Sequence, residues 1–215
     1  MNKLLAIAAA ASFGVASSAS ANVVVNGGFE LGTGTDSDNW TEFGGGAAGT
    51  LSERSSVAPL AGNFSHIITA VGDATVGASA GINYNSISDG GLASLAENTT
   101  VTLTFDAETN LGPGGVAFYA LRVLDSSGAI VADTGLQGFG TGSITSATLN
   151  VPSFGAAPSD AYAAFVEIVV NAGAFDGSTA SAKIDNVVVT GTLVPTPASA
   201  ALLGLGGLAA VRRRR

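Results

Sequence analysis

The stretch "TVTLTFDAE", Thr100 to Glu108, alternates strictly between apolar and polar side chains. The apolar positions are Val101, Leu103, Phe105 and Ala107. The polar positions are Thr102, Thr104, Asp106 and Glu108. A period of two is typical of a β-strand with one face in a core and the other in water. The stretch therefore predicts one strand of an antiparallel sheet that buries a single face.

Further β-patterned runs lie on both sides of this stretch, separated by Gly-rich turns. The longer runs are 116–124, 161–170 and 182–191, and the shorter candidates are 22–26, 65–71 and 80–87. The run "VAFYALRVL" at 116–124 is apolar on both faces, which predicts a central strand. It continues through "DSSG" into "AIVAD", which predicts a hairpin. About nine or ten strands without an amphipathic helix predict an all-β fold, an antiparallel β-sandwich.

The charge of the chain is strongly acidic in its central part. The chain has 215 residues, 16 acidic residues, 8 basic residues and no cysteine. Only Arg54, Arg122 and Lys183 are basic between residues 22 and 194, which gives that range a charge of about −13. Such a charge disfavours nucleic acid and anionic membrane surfaces as partners. Disulfides are excluded, so stability must come from the core and from a metal if one binds.

The first 21 residues have the layout of a secretory signal peptide. Lys3 provides the positive start, Leu4 to Ala16 the apolar centre, and Ala19-Ser20-Ala21 the small residues before a cleavage site. We expect cleavage between Ala21 and Asn22, which makes the protein an exported one. The alternative is a buried N-terminal helix.

The last 21 residues combine three features in a fixed order. Pro195-Thr196-Pro197 comes first, an uncharged apolar run at 198–211 is expected to form a helix, and Arg212, Arg213, Arg214 and Arg215 end the chain. The run is short for a membrane span, and the arginines would stay inside. This order resembles the PEP-CTERM sorting domain, with Thr196 where the family most often has Glu. The resemblance implies processing by a membrane-embedded exosortase and delivery to the cell surface or matrix; a simple membrane anchor is the alternative.

The central part, residues 22–194, has the size of one domain. It opens with "VVNGGFELG" at 24–32 and closes with "KIDNVVV" at 183–189, with "AGNFSHIIT" at 61–69 between them. This ordered set resembles the galactose-binding-like jelly roll of carbohydrate-binding modules found beside xylanases. The resemblance implies a jelly-roll sandwich, polysaccharide as the partner and a structural Ca²⁺.

The resemblance also implies which residues hold the calcium. Glu30 and Asp185 are the expected side-chain ligands, on the first and last strands, and the carbonyls near Gly28 and Asn63 complete the set. Ca²⁺ takes six to eight oxygen ligands, and sites of extracellular proteins can be weak. The alternative is that both acids are solvated or pair with Lys183.

Sugar binding requires aromatic faces with amides and acids nearby. The candidates are Tyr84 with Asn83 and Asn85, Tyr119, and Phe139. Phe118 alternates with Tyr119, so one of the two faces the core and the other the opposite surface. Phe29 is expected to fill the sandwich beside Gly27 and Gly28. Trp40 is expected in the core, because the resembled family packs its early tryptophan there. Core packing is also the alternative for each of the other aromatic residues.

The sequence contains no catalytic pattern. His66 is the only histidine and lies in an alternating strand, and there is no cysteine and no G-x-S-x-G motif. Asp106 and Glu108 share one strand face, where solvated acids are ordinary. We therefore predict a non-enzymatic, exported protein that binds polysaccharide. The alternatives are a structural matrix protein without a glycan site and, third, a glycan-acting enzyme.

Overall fold

The alternating stretches form strands in the computed structural model, which describes residues 20–153 and 161–194. The strands are β1 (Ser20–Asn22), β2 (Gly32–Thr33), β3 (Asp36–Ser37), β4 (Thr41–Gly45), β5 (Leu51–Ser55), β6 (Ser65–Val71), β7 (Ala78–Asn85), β8 (Thr100–Leu111), β9 (Val116–Leu124), β10 (Ile130–Asp133), β11 (Gln137–Gly138), β12 (Gly142–Thr145), β13 (Leu149–Asn150), β14 (Ala163–Ala172) and β15 (Thr179–Thr192).

These strands make two antiparallel sheets and one small hairpin. Sheet 1 has the order β12-β8-β15-β6-β5, with β1 paired to β15 and β13 paired to β8. Sheet 2 has the order β10-β9-β14-β7-β4, with β11 also paired to β9. Strands β2 and β3 pair only with each other. The all-β antiparallel sandwich is confirmed, since the described residues contain no helix.

The inward faces of the two sheets form one core. The predicted apolar face of β8 is confirmed, because Val101, Leu103, Phe105 and Ala107 are 0–4 % exposed. Sheet 2 contributes alternating residues from its three long strands to the same core. They include Ile82, Tyr84, Tyr119, Leu121, Val123, Val166, Ile168 and Val170. Apolar area removed from water in this way is the main source of stability of such a sandwich.

Other predicted elements are also confirmed. Strand β9 lies between β14 and the short strands β10 and β11, as expected of a strand apolar on both faces. The turn after it forms the predicted hairpin, in which Gly128 has a φ of 82° that favours glycine.

The two terminal segments are predictions that fall largely outside the described residues. Residues 1–19 and 195–215 include Ala19, Pro195, Thr196, Pro197 and the four terminal arginines. The described part begins at β1, where Ser20 pairs with Thr192, Ala21 with Gly191 and Asn22 with Thr190. No helix among the described residues is long and apolar enough to cross a membrane.

Candidate functional site

The two sequence motifs at the ends of the domain meet where a bulge interrupts β15. The register of β15 against β8 shifts between Asp185 and Val188, and Asn186 takes a left-handed φ of 51°. Val187 donates its N–H to the carbonyl of Gly27 at 2.8 Å. A Cβ on Gly27 would overlap the carbonyl of Val187, so only glycine fits this contact.

Phe29 continues from this contact into the core. Its ring is fully buried, with centroids 5.2 Å from the Trp40 ring and 5.3 Å from the His66 ring. Trp40 is 6 % exposed, and its indole N–H donates to the carbonyl of Asn26 at 3.0 Å. The predictions that Phe29 fills the sandwich and that Trp40 is a core residue are both confirmed.

The predicted calcium ligands meet at one loop, residues 61–65. Asp185 is 1 % exposed, and its Oδ2 accepts the N–H of Ala61 and the hydroxyl of Ser65, each at 2.8 Å. Its Oδ1 lies 3.8 Å from where a Cβ on Gly28 would be. Glu30 Oε1 accepts the N–H of Asn63 at 2.7 Å.

Glu30 differs from Asp185 in its surroundings. It is exposed and lies in the loop between β1 and β2, not in the first strand as expected. The hydrogen bond from the Asn63 N–H is the largest of several effects that hold the pKa of Glu30 below its ordinary value. Neither acid pairs with Lys183, whose Nζ lies 3.4 Å from Glu108 and 2.7 Å from the Ala58 carbonyl.

A buried arginine joins loop 61–65 to the segment 24–32. Arg54 is 6 % exposed, and its Nε donates to the carbonyl of Phe29 at 2.6 Å and its Nη2 to that of Glu30 at 2.9 Å. The guanidinium carbon lies 3.2 Å from the centroid of the Phe64 ring. These contacts satisfy a buried cation without a carboxylate partner.

The carboxylates of Glu30 and Asp185 at loop 61–65 carry oxygen atoms of the kind that calcium takes as ligands. Two carboxylates are present, and the remaining ligands would have to be backbone carbonyls. Among the described residues no three or more acidic or histidine side chains form a metal-binding group. In this structure all four oxygens of the two carboxylates accept hydrogen bonds from N–H or O–H groups. A calcium held by Glu30, Asp185 and the carbonyls of Gly28 and Asn63 therefore stays a prediction.

The predicted sugar-binding aromatics are core residues, and this part of the prediction is wrong. Tyr84 is fully buried; its hydroxyl donates to the Val23 carbonyl at 3.1 Å and accepts the Val25 N–H at 3.0 Å. Tyr119 is 5 % exposed and Phe139 is 8 % exposed, and both rings contact Phe105. Burial raises the pKa of both tyrosines. Rings enclosed in this way offer no face to a sugar.

The predicted asparagines beside Tyr84 lie on the opposite side of β7 from it. Asn83 is half-buried on the outer face of sheet 2, across from Thr41 and Glu167. Asn85 accepts the N–H groups of Ile87 at 2.9 Å and Ser88 at 3.1 Å, so it closes a turn.

Three phenylalanines on the outer face of sheet 2 were not predicted as a site. One cross-strand row runs from Phe43 on β4 through Gly81 and Val169 to Phe118 on β9. A Cβ on Gly81 would lie 2.5 Å from the Phe43 ring, so the ring covers the sheet at this glycine. Since strands are about 4.8 Å apart, the row spans about 14 Å from β4 to β9.

Charged side chains stand beside these rings. Phe165 pairs across the sheet with Arg122, whose guanidinium carbon lies 5.9 Å from the ring centroid. Arg122 Nη1 donates to Glu167 Oε2 at 2.6 Å, and its Nε lies 3.6 Å from Asp133 Oδ2. Phe43, Phe118 and Phe165 are each partly exposed, as are Arg122 and Glu167. We call Phe43, Asn83, Phe118, Arg122, Phe165 and Glu167 the sheet 2 face.

The sequence did contain a signal for this face. In β9 the alternation places Phe118 on the same side as Arg122, and in β14 it places Phe165 on the same side as Glu167. A charged side chain in an otherwise apolar strand marks the side that faces water. Alternation along β7 likewise places Tyr84 in the core, because it shares its side with Ala80 and Ile82.

The residues considered for catalysis have structural partners. The imidazole of His66 is fully buried between the hydroxyls of Ser37 and Ser52, each 2.9 Å away. Asp106 accepts hydrogen bonds from Ser143 and from the Asn186 side chain, and these lower its pKa.

Comparisons with known proteins give a fold but no family. No protein-family model matches the sequence, and a search of curated proteins gives no match. The solved structures similar to this chain include the enzymatically active domain of tailspike protein 4 from bacteriophage CBA120, with a TM-score of 0.51 and 21% identity over 80% of this chain. They also include the Stig cyclase Fisc from Fischerella sp. TAU, with a TM-score of 0.52 and 16% identity over 82% of this chain and 100% of the cyclase.

Carbohydrate-binding modules are among the similar structures as well. The CBM22-1 xylan-binding domain of Xyn10C from Paenibacillus barcinonensis has a TM-score of 0.49 and 12% identity over 84% of this chain and 100% of that domain. This chain spans only 21% of the tailspike structure. At these identities the similarity to the tailspike domain and the cyclase shows a shared β-sandwich fold.

Proposed function

We propose that this protein binds polysaccharide through the sheet 2 face and does so without catalysis. The observation that carries the proposal is the set of three partly exposed phenylalanine rings on one outer sheet face, beside Arg122, Glu167 and Asn83. Sugar rings have apolar C–H surfaces that pack on aromatic faces, and their hydroxyls need placed donors and acceptors.

Each side chain of the face has a role in this proposal. The strands that carry Phe43 and Phe118 lie about 14 Å apart, and a face of this width suits an extended chain more than a single sugar. Arg122 supplies hydrogen-bond donors, Glu167 supplies acceptors, and Asn83 supplies both. Because Arg122 is already paired with Glu167, the two groups keep a fixed geometry without the ligand.

The binding test compares single variants of the full-length protein on a panel of polysaccharides. Alanine at Phe43, Phe118 or Phe165 is expected to weaken binding about tenfold, since a central aromatic contact is commonly worth more than 1 kcal/mol. Ile67→Ala is the matched control, because Ile67 is a partly exposed apolar residue in sheet 1, across from Lys183. It should leave the affinity unchanged.

The alternative is a structural matrix protein without a glycan site. The burial of Tyr84, Tyr119 and Phe139 favours this alternative, because it removes the aromatics first considered. Absence of saturable binding across the panel would establish it against the proposal.

We also propose that calcium stabilises the sandwich at loop 61–65. Its ligands would be Glu30, Asp185 and the carbonyls of Gly28 and Asn63. The contacts of both carboxylates with loop 61–65 support this proposal. The metal would supply positive charge between two carboxylates and so join the segment 24–32 to β15. It has no part in sugar binding in this proposal.

The place of action is proposed from the two ends of the chain. Export through the N-terminal segment and sorting by an exosortase-type enzyme through Pro195–Arg215 would deliver the domain to the cell surface or extracellular matrix. There the sheet 2 face would meet polysaccharide, and the acidic surface would keep the domain away from nucleic acid.

A further inference from the structure

An apolar pocket lies at the edge of sheet 2, next to the sheet 2 face. Its volume is about 350 Å³, and Leu111, Val116, Phe118, Gly138, Phe139 and Gly140 line it. Leu111 is 41 % exposed and Val116 is 40 % exposed, so apolar side chains at its wall are open to solvent. No charged side chain lines the pocket.

The pocket is continuous with the sheet 2 face through one ring. Phe118 belongs to both, since it pairs with Val169 on one side and with Gly138 on the other. A polysaccharide that crosses the face along the row from Phe43 to Phe118 would therefore end its path at the pocket.

The space of the pocket lies in front of Gly138 and Gly140, two glycines whose backbone conformation other residues could also adopt. Neither Gly138 nor Gly140 has a φ in the left-handed region. A Cβ on Gly138 would meet only the Ala117 carbonyl, at 3.9 Å, and one on Gly140 would meet nothing within 4 Å. The space in front of both residues can hold part of a ligand.

We infer that the glycan bound here carries small apolar substituents, such as acetyl or methyl groups, and that this pocket receives one of them. This inference rests on the proposed function. A hydroxyl placed against this apolar wall loses the hydrogen bonds to water on the side that faces the wall, which is unfavourable. A methyl group placed there gains from leaving water.

The test measures affinity of the full-length protein for one O-acetylated polysaccharide before and after saponification, which removes the acetyl groups and keeps the backbone. Acetylated xylan and acetylated glucomannan are suitable, each compared with its own saponified form. We expect the acetylated form to bind roughly five- to tenfold more tightly, the discrimination that an apolar pocket gives to a small group.

Variants at Gly138 locate the effect. Gly138→Leu should fill the pocket and reduce the ratio of the two affinities, acetylated over saponified, to about one. Gly138→Ala is the matched control and should keep most of the preference. If Gly138→Leu does not fold, Gly140→Leu tests the same pocket from its other end.

Each outcome decides between the two claims. Equal affinity of the wild-type protein for both forms would overturn the inference and leave the proposed function standing. A preference that survives both leucine variants would also overturn it. If neither form of any polysaccharide binds, the proposed function fails and this inference fails with it.

Discussion

At the residue scale, His66 illustrates how hydrogen bonds settle the state of a buried group. The hydroxyl of Ser52 donates its one hydrogen to the Gly81 carbonyl at 2.9 Å, so it must accept from Nε2 of His66. Nδ1 then accepts from the hydroxyl of Ser37. The ring is therefore neutral with its hydrogen on Nε2, and burial lowers its pKa to about 3.

This state predicts a loss of stability in mild acid. Below the unfolded-state pKa of about 6.5 the unfolded chain takes up a proton that the folded protein does not, so the free energy of unfolding falls as the pH falls. Between pH 6.5 and pH 4.5 the loss should reach about 2–3 kcal/mol. Denaturant unfolding across this range measures it.

The control for this prediction is His66→Gln, which removes the titrating group and keeps a hydrogen-bond donor. The variant should unfold with little dependence on pH in the same range, apart from Glu42, whose carboxylate lies 3.7 Å from Nδ1. Burial is the main cause that raises the pKa of Glu42. Because the folded protein therefore binds this proton more tightly than the unfolded chain, protonation of Glu42 raises the free energy of unfolding as the pH falls. Equal pH slopes for both proteins would contradict the account.

Single residues also show what the sequence could predict. Trp40 and Phe29 were predicted in the core because their motif resembles a known one, and they lie there. Tyr84 and Tyr119 were assigned to a site by their chemistry alone, although the alternation of their strands places them inside. Phe43 could not have been found in this way, because β4 is five residues long and ends in two glycines.

At the element scale, the bulge in β15 binds the segment 24–32 to the sandwich. It turns Asp185 to loop 61–65 and brings Val187 to Gly27. Sequence periodicity predicts the strand but not the bulge, because Val187, Val188 and Val189 are consecutive and so fit either register. Asn186 is the local signal for the bulge, because asparagine adopts the left-handed conformation seen here more readily than most residues do.

Gly27→Ala should be strongly destabilising, because the added Cβ overlaps the Val187 carbonyl. We expect a loss of at least about 3 kcal/mol in the free energy of unfolding. Gly140→Ala is the matched control, since its Cβ would meet nothing within 4 Å. Similar melting temperatures for the two variants would show that the contact does not hold the bulge.

Calcium should raise the melting temperature of the full-length protein. A site about nine-tenths saturated in millimolar calcium adds roughly 1.4 kcal/mol, or about 3–6 °C, relative to excess chelator. Asp185→Asn should abolish this response, and Asp89→Asn, at a turn outside loop 61–65, should keep it. An unchanged melting temperature of the wild-type protein would refute the calcium proposal.

At the scale of the whole molecule, the first and last strands of the described part are joined. Ser20, Ala21 and Asn22 of β1 pair with Thr192, Gly191 and Thr190 of β15. The predicted cleavage after Ala21 would remove the first two pairs and keep the pair between Asn22 and Thr190. Sequence reasoning predicts segments at both ends but not this pairing, because the alternation within a strand does not say which other strand it pairs with.

Processing at both ends can be measured on protein recovered from the surface of the producing cells. Mass spectrometry should find an N-terminus at Asn22 and a C-terminus that lacks Arg212–Arg215. A mature protein that still carries the four arginines would contradict the sorting proposal and support a simple membrane anchor.

An NMR titration of the phenylalanine ring signals tests directly whether the sheet 2 face binds glycan. A soluble oligosaccharide from the best-binding polysaccharide is added to the full-length protein until saturation. We expect the signals of Phe43, Phe118 and Phe165 to shift along one binding curve, while those of the buried Phe29 and Phe105 stay in place. Saturable binding that leaves all three outer rings unshifted would contradict it.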